Sequence, residues 1–250
     1  PRQEGIMTRL ANKTALITGG GSGIGLAIAR AFLDEGARVA ITGRQETKLR
    51  QAAQSLPGGD RLLIHPADVA QADQVQKLVD QVQNRLGAID ILVNNAGLNV
   101  RQRAFRELSI ESWRLLMQAN LDGAFYCIHA VLPAMLQRRD GVIINISSVA
   151  GKRASPLGGA AYAASKFGMS ALGLCLAAEE KDSGIRVCNI YPGEVDTPIL
   201  EHRPQPLSDE QREKILQPED VAAAVLFVAM LPPRVSIPEL VIKPTSQFYL

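Results

Sequence analysis

Chemistry is first suggested by GGAAYAASKFG, residues 158–168, where Tyr162 precedes Lys166 by four positions amid small residues. On a helix, positions i and i+4 share one face and lie about 5–6 Å apart at Cβ, so a lysine ammonium sits close to the phenol. A free phenol with a pKa near 10 is only about 0.1% ionised at neutral pH. A fixed positive charge alongside lowers that value by about one to three units, which turns the hydroxyl into a usable acid or base. The spacing alone also fits an ordinary Tyr–Lys pair on a helix surface, so other residues must decide.

A second constellation is TGGGSGIG, residues 18–25. Glycines let the backbone turn tightly and approach a diphosphate, while free N–H groups at a helix start attract the anion. Gly19, Gly21, Ser22, Gly23, Ile24 and Gly25 are the candidate phosphate-binding residues. Their spacing is G-x-x-x-G-x-G; G-x-G-x-x-G cannot be threaded through the loop, and no Gly-Lys-Ser/Thr follows, which excludes a P-loop. The next apolar run ends in Thr42-Gly43-Arg44. An acidic residue there would hold a free ribose 2′-hydroxyl, whereas Arg44 suits a 2′-phosphate, so NADP(H) is expected ahead of NAD(H). An ordinary loop cation is the alternative. In NNAG, residues 94–97, Asn94 can bond nearby backbone in a turn and Ala96-Gly97 permits close approach of a ligand. Asp68-Val69 places a carboxylate where it could meet an adenine amino group or cap a helix.

The motifs must be positioned by the elements around them. Short β-branched runs occur at 14–18, 38–42, 61–64, 90–93, 141–146 and 185–190, with LVIK at 240–243 as candidate seventh. Apolar spacing of three and four predicts helices near 24–35, 46–55, 71–86, 110–138, 161–182 and 218–231. This alternation predicts an α/β fold: a Rossmann-like, doubly wound parallel sheet of six to seven strands with helices on both faces. Its ligand site lies beyond the carboxyl ends of the strands. Pro244 stops the last strand at Ile242. Residues 194–220 carry four prolines and exceed the usual connection length, which predicts a substrate lid rather than an inert excursion. One domain is expected over 7–250, with PRQEGI, residues 1–6, as an added remnant or a native arm.

Bulk properties exclude several classes. The chain has 250 residues, 46% of them hydrophobic, enough for one large core. A net charge of +2 with interspersed signs offers no stripe for a phosphate backbone, so nucleic acid is not an expected partner. Arg138-Arg139 reads as a solvated helix end. Cys127, Cys175 and Cys188 are odd in number and set in apolar stretches, which predicts reduced core thiols in a cytoplasmic protein. His65, His129 and His202 lie far apart, so no metal is expected. The longest apolar run, ten residues at 222–231, falls short of the roughly 18 needed for a membrane span, and no signal-peptide pattern opens the chain.

TGGGSGIG, NNAG, INISS (144–148), YAASK (162–166) and YPG (191–193) together resemble the short-chain dehydrogenase/reductase family in order and approximate spacing, over about residues 9–231. The resemblance implies an oxidoreductase that interconverts an alcohol and a carbonyl of a small molecule with a nicotinamide cofactor. It implies Ser148, Tyr162 and Lys166 as catalytic residues, with Asn120 of QANLDGAF as the fourth. Tyr162 would exchange a proton with the substrate oxygen and Ser148 would hold that oxygen. Lys166 would lower the phenol pKa, helped by the positive oxidised nicotinamide, and bond the nicotinamide ribose, while Asn120 would support a water chain to Lys166. Ser148 directly precedes Val149-Ala150-Gly151, as the reacting serine does in the family, which favours it over Ser147.

Pro192, Gly193, Val195 and Thr197 match the segment that cradles the nicotinamide carboxamide, although Thr197 could equally cap a lid helix. Family members are usually dimers or tetramers joined through helices matching 110–138 and 161–182, so a homo-oligomer, a tetramer first, is expected. The ending SIPELVIKPTSQFYL departs from the family and weakens that carry-over near the C-terminus. Reduction of 3-oxoacyl thioesters on acyl carrier protein is the main variant. A redox-idle NADP(H)-binding regulator is the rival of a different class, and intact Ser148, Tyr162 and Lys166 stand against it. Substrate choice is expected in the lid and in residues 98–106 and 153–160. There Arg101, Arg103 and Arg106 could attract an anionic substrate or be solvated loop charges.

Overall fold

Parallel strands covered on both faces need nearly continuous apolar runs, and the runs found in the sequence become such strands. The computed structural model describes residues 8–247, so residues 1–6 lie outside it. Its strands are β1 (Thr14–Thr18), β2 (Arg38–Gly43), β3 (Leu62–Pro66), β4 (Ile91–Asn94), β5 (Gly141–Ile146), β6 (Ile185–Pro192) and β7 (Glu239–Ile242). They form one sheet in the order β3-β2-β1-β4-β5-β6-β7, every pairing parallel. All of β1, β4 and β5 is buried, whereas the edge strands β3 and β7 are partly exposed.

The helices are α1 (Gly23–Asp34), α2 (Glu46–Ser55), α3 (Ala72–Leu86), α4 (Ile110–Met117), α5 (Gly123–Arg138), α6 (Ala160–Glu179), α7 (Asp209–Glu213) and α8 (Pro218–Ala229). Successive strand residues point to opposite faces, and the two cores divide accordingly. Ile17 packs with Phe32 of α1 and Val225 of α8, while Leu16 packs with Val79 of α3 and Val131 of α5.

Two sequence expectations are corrected. The single helix expected over 110–138 is two helices joined by a π-helical turn, Gln118–Asp122. The apolar spacing runs through that wide turn without a break, so periodicity could not reveal it. Cys127 and Cys188 are buried, but Cys175 is exposed on the outward side of α6, so it is not a core thiol. Arg138 and Arg139 are exposed at the end of α5, as expected, and each also donates to a carbonyl, Ile89 at 2.8 Å and Asp182 at 2.6 Å.

The helix α6 carries Tyr162 and Lys166, and its seat is polar. Asn94, Asn145 and Asn189 are in register on β4, β5 and β6 and link amide to amide at 2.9 Å each. The Asn189 amide then donates to the Ser170 carbonyl of α6 at 3.0 Å. Gly173 rests on this ladder so closely that a Cβ there would overlap the Asn189 side chain and lie 2.7 Å from Asn145 Nδ2. By length and composition α6 could cross a bilayer, with a mean hydropathy of 1.2, but here it lies against β5 and β6 with Met169 and Leu176 buried.

Gly173→Ala tests the seat because helix propensity and packing predict opposite signs. Propensity alone would stabilise by about 1 kcal/mol, whereas overlap with the ladder should destabilise by about 1–3 kcal/mol. A lower urea midpoint is expected; a raised one would show that α6 is not held by this contact.

Candidate active site

The crevice opens where the strand order reverses, between β1 and β4, and a small polar clasp shapes it. Thr18 Oγ1 accepts from the Asn95 and Ala96 N–H groups at 3.0 and 2.9 Å. In return, Asn95 Nδ2 donates to the Thr18 and Gly19 carbonyls at 2.9 and 3.2 Å. The cavity above measures about 490 Å³, a size suited to a small-molecule site. Of the residues expected from sequence, Gly19, Ser22, Gly23, Ile24, Ala96, Gly97, Ser148, Tyr162, Lys166, Pro192, Gly193, Val195 and Thr197 line it.

Other expected residues lie off the cavity wall. Gly21 and Gly25 belong to the loop and to the first turn of α1 without reaching the wall. Asn94 is committed to the asparagine ladder; its neighbour Asn95 is the one that reaches the cavity. Asp68 accepts from the Ala70 N–H at 3.0 Å, closing its own turn two residues on, and the N-cap of α3 is Gln71. Val69 is buried against Gly123 at the start of α5. Arg44 is exposed past β2, while Lys48, one turn into α2, reaches the cavity instead. Of the three arginines that could meet an anionic substrate, Arg103 lines the cavity, whereas Arg101 and Arg106 are exposed and lie off its wall.

Around the reacting position the geometry is specific. Ser148 Oγ accepts from the Ala150 N–H at 3.1 Å, which orients the side chain, and lies near enough to the Tyr162 phenol to act on its pKa. Ser147 Oγ is occupied by the Lys166 carbonyl at 3.1 Å and by Ser170 Oγ at 3.1 Å, so Ser148 is the serine free to serve a ligand. Lys166 is 3% exposed, and its Nζ donates to the Ile146 carbonyl at the end of β5 at 2.8 Å. Burial pulls its pKa down to about 8.

The Lys166 ammonium lies 5.8 Å from the Tyr162 ring centroid. In this geometry burial raises the Tyr162 pKa, with the Ser148 hydrogen bond and the Arg103 charge acting in the lowering direction. The expected lowering by Lys166 is therefore not found in the protein alone; the two side chains are neighbours, but burial dominates the phenol.

Asn120 sits in the π-helical turn and is fully buried. Its Oδ1 accepts from the Leu98 N–H at 2.8 Å, and its Nδ2 donates to the Leu98 carbonyl and Ser165 Oγ at 3.0 Å each. The amide thus holds the loop after β4 and makes no direct bond to Lys166. Between Asn120 and Lys166 lies Gly97, where a Cβ would stand 3.3 Å from Asn120 Oδ1 and 3.4 Å from Lys166 Nζ.

These residues fit a dinucleotide. Ser22 makes no side-chain cap bond, which leaves the N–H groups at the start of α1 open to an anion, and bare Gly97 gives a flat approach to Lys166.

A dinucleotide-type crevice with Ser148, Tyr162 and Lys166 on one wall defines a class of hydride-transferring α/β proteins, and comparison with known proteins gives the family. Residues 13–207 match the short chain dehydrogenase family. An uncharacterized oxidoreductase of Staphylococcus saprophyticus is 35% identical over 240 residues, 95% of this chain and 100% of that protein. The closed form of serine dehydrogenase complexed with NADP+ superposes with a TM-score of 0.86 at 34% identity, covering 94% of this chain and 96% of the other. A 3-ketoacyl-(acyl-carrier-protein) reductase from Brucella melitensis complexed with NADH does so with a TM-score of 0.86 at 28% identity, covering 94% and 98%. The chain belongs to the short-chain dehydrogenase/reductase family and is an oxidoreductase.

The buried ammonium has a measurable consequence. With the folded pKa near 8 and the unfolded one near 10.5, the unfolded chain binds more protons between those values, so stability contributed at this residue rises with pH across that window. Urea denaturation of wild type and Lys166→Met at pH 8 and 10.5 should show wild type gaining on the variant by on the order of 3 kcal/mol. A constant difference would contradict the depressed pKa.

Proposed function

We propose that residues 7–250 act as one cofactor-binding and catalytic unit that interconverts an alcohol and a carbonyl group of a small molecule, with NADP(H) preferred over NAD(H). The observation that carries the reading is the convergence of Ser148, Tyr162 and Lys166 on the cavity beside the glycine loop. A nicotinamide bound there supplies or accepts the hydride. Tyr162 gives its proton to the developing alkoxide in reduction and takes it back in oxidation. Ser148 donates a hydrogen bond to the same oxygen and lowers the cost of its charge. Lys166, fixed by the Ile146 carbonyl, turns its positive charge toward the phenol and the ribose side of the cavity. Asn120 holds the loop at Leu98 and, with Ser165, keeps the polar path beside Lys166 in place.

The segment 194–220 acts as the lid. Pro198, Ile199 and Leu200 line the cavity, and the segment is tied back by Val195 pairing with Leu216. The NADP(H) preference rests on Arg44, directly after β2, and on Lys48, with Thr42-Gly43 rather than a carboxylate at the strand's end. The relatives do not decide this point, since one similar structure holds NADP+ and another NADH. A 3-oxoacyl thioester is the second reading, favoured by the likeness to the Brucella reductase. A homo-oligomer is supported by Trp113, Phe125, Phe167 and Leu174, which are 38–45% exposed on α4, α5 and α6. A cytoplasmic location agrees with the three free thiols.

Tyr162→Phe should lower kcat/KM by about 10²–10⁴ while NADPH affinity, followed by nicotinamide fluorescence, changes less than about threefold. Retained turnover would reject the proton-transfer role. Arg44→Ala should weaken NADPH by about tenfold or more and NADH far less; equal losses would remove the basis for the preference. Light scattering at micromolar concentration should give a multiple of 26.9 kDa rather than the monomer mass.

A further inference from the structure

Arg103 is 7% exposed, lines the cavity and has no carboxylate partner among the described residues. Its Nε donates to the Val100 carbonyl at 2.8 Å, one terminal nitrogen to Leu157 at 2.9 Å, and the other to the His202 carbonyl. Three carbonyls occupy three of the five guanidinium N–H groups and leave two. Carbonyl dipoles solvate the cation but do not neutralise it, and a buried, unneutralised charge is costly. Its surroundings add to the cost. Arg203, beside it, is itself paired with Glu194 at 2.9 Å, and burial together with the Arg203 charge lowers the Arg103 pKa.

The position of this charge is informative. Gly159, the residue before α6, would with a Cβ stand 2.7 Å from Arg103 Cβ, so Arg103 lies against the start of the helix that carries Tyr162. Arg103 and Tyr162 also feel each other electrostatically. A cation of this kind, open to the cavity and next to the reacting phenol, is relieved by an anion entering with the substrate.

We propose that Arg103 is the specificity residue that receives a carboxylate of the substrate, so that the protein acts on small oxo acids and hydroxy acids in preference to neutral ketones and alcohols. This rests on the reading of Tyr162 as the proton donor. In reduction the carbonyl carbon accepts the hydride of the reduced nicotinamide, oxidising it, and the carbonyl oxygen accepts the Tyr162 proton. The carboxylate is unchanged, held by the two remaining guanidinium N–H groups. Arg103 could instead be only a latch joining the loops at Val100, Leu157 and His202, and the test separates the two roles.

NADPH consumption should be measured with 3-oxobutanoate and 4-oxopentanoate, each against its methyl ester, for wild type, Arg103→Gln and Arg103→Lys. Wild type should prefer at least one acid over its ester by about tenfold or more in kcat/KM. Arg103→Gln should lower kcat/KM for the acid, through KM, by about tenfold or more beyond whatever it costs the ester, with NADPH affinity within about threefold, and Arg103→Lys should restore part of that difference. A wild type indifferent to the charge, or an Arg103→Gln variant that loses acid and ester rates equally, would overturn the proposal. If neither acids nor esters are reduced, the reading of Tyr162 as proton donor to small oxo compounds is what fails. Calorimetry of malonate with the NADPH-bound protein then judges Arg103 separately: saturable binding lost in Arg103→Gln supports the anion site, and no binding overturns it.

Discussion

A lysine ammonium that is 3% exposed must find an acceptor or lose its proton, and the mouth of this sheet is organised by that constraint. The acceptor is the Ile146 carbonyl, the last residue of β5. Because the bond joins the end of a central strand to the middle of α6, it fixes how far the helix can slide along the sheet. Tyr162 lies one turn before Lys166 on α6, and Ser148 lies two residues beyond Ile146, so the same bond sets the phenol against the serine hydroxyl. Ser147 ties the junction a second time by donating to the Lys166 carbonyl at 3.1 Å.

Around that junction, polar side chains do structural work that an apolar core could not do. The asparagine ladder on β4, β5 and β6 ends on the Ser170 carbonyl, a directional seat for α6 where aliphatic packing would allow slippage. Each amide bond contributes about 1 kcal/mol net, yet its geometry excludes neighbouring registers. The π-helical turn at Gln118–Asp122 serves the same end, bringing the Asn120 amide to Leu98 on the loop after β4 and to Ser165 on α6. One buried side chain thereby links the loop after β4 to the helix that carries Tyr162.

Much of this was legible in the sequence, for physical reasons. Buried parallel strands leave continuous β-branched runs, so all seven strands fall within two residues of their expected bounds. The glycine loop and the Tyr162–Lys166 pair stood out by their spacing and Ser148 by the family resemblance, and the structure sets them on one cavity. Arg103 was readable only as one of three arginines that could meet an anion; what sets it apart, its burial, depends on carbonyls at Val100, Leu157 and His202 that sequence places far apart. Asn94 and Asn95 were indistinguishable as letters: strand register assigns the first to the ladder and the second to the crevice. Nor could spacing say that burial would outweigh the lysine at the Tyr162 phenol, since the burial comes from elements remote in the chain.

That balance at the phenol is the centre of the account. Burial raises the Tyr162 pKa, and under the proposed function the positive charge of a bound oxidised nicotinamide opposes that rise and eases proton uptake by the residue in the oxidation direction. Difference titration of the tyrosinate absorption band, wild type minus Tyr162→Phe, measures this directly with and without saturating NADP+. The account predicts that the Tyr162 signal appears at least about one pH unit lower when NADP+ is bound. Superimposable titrations with and without NADP+ would contradict it.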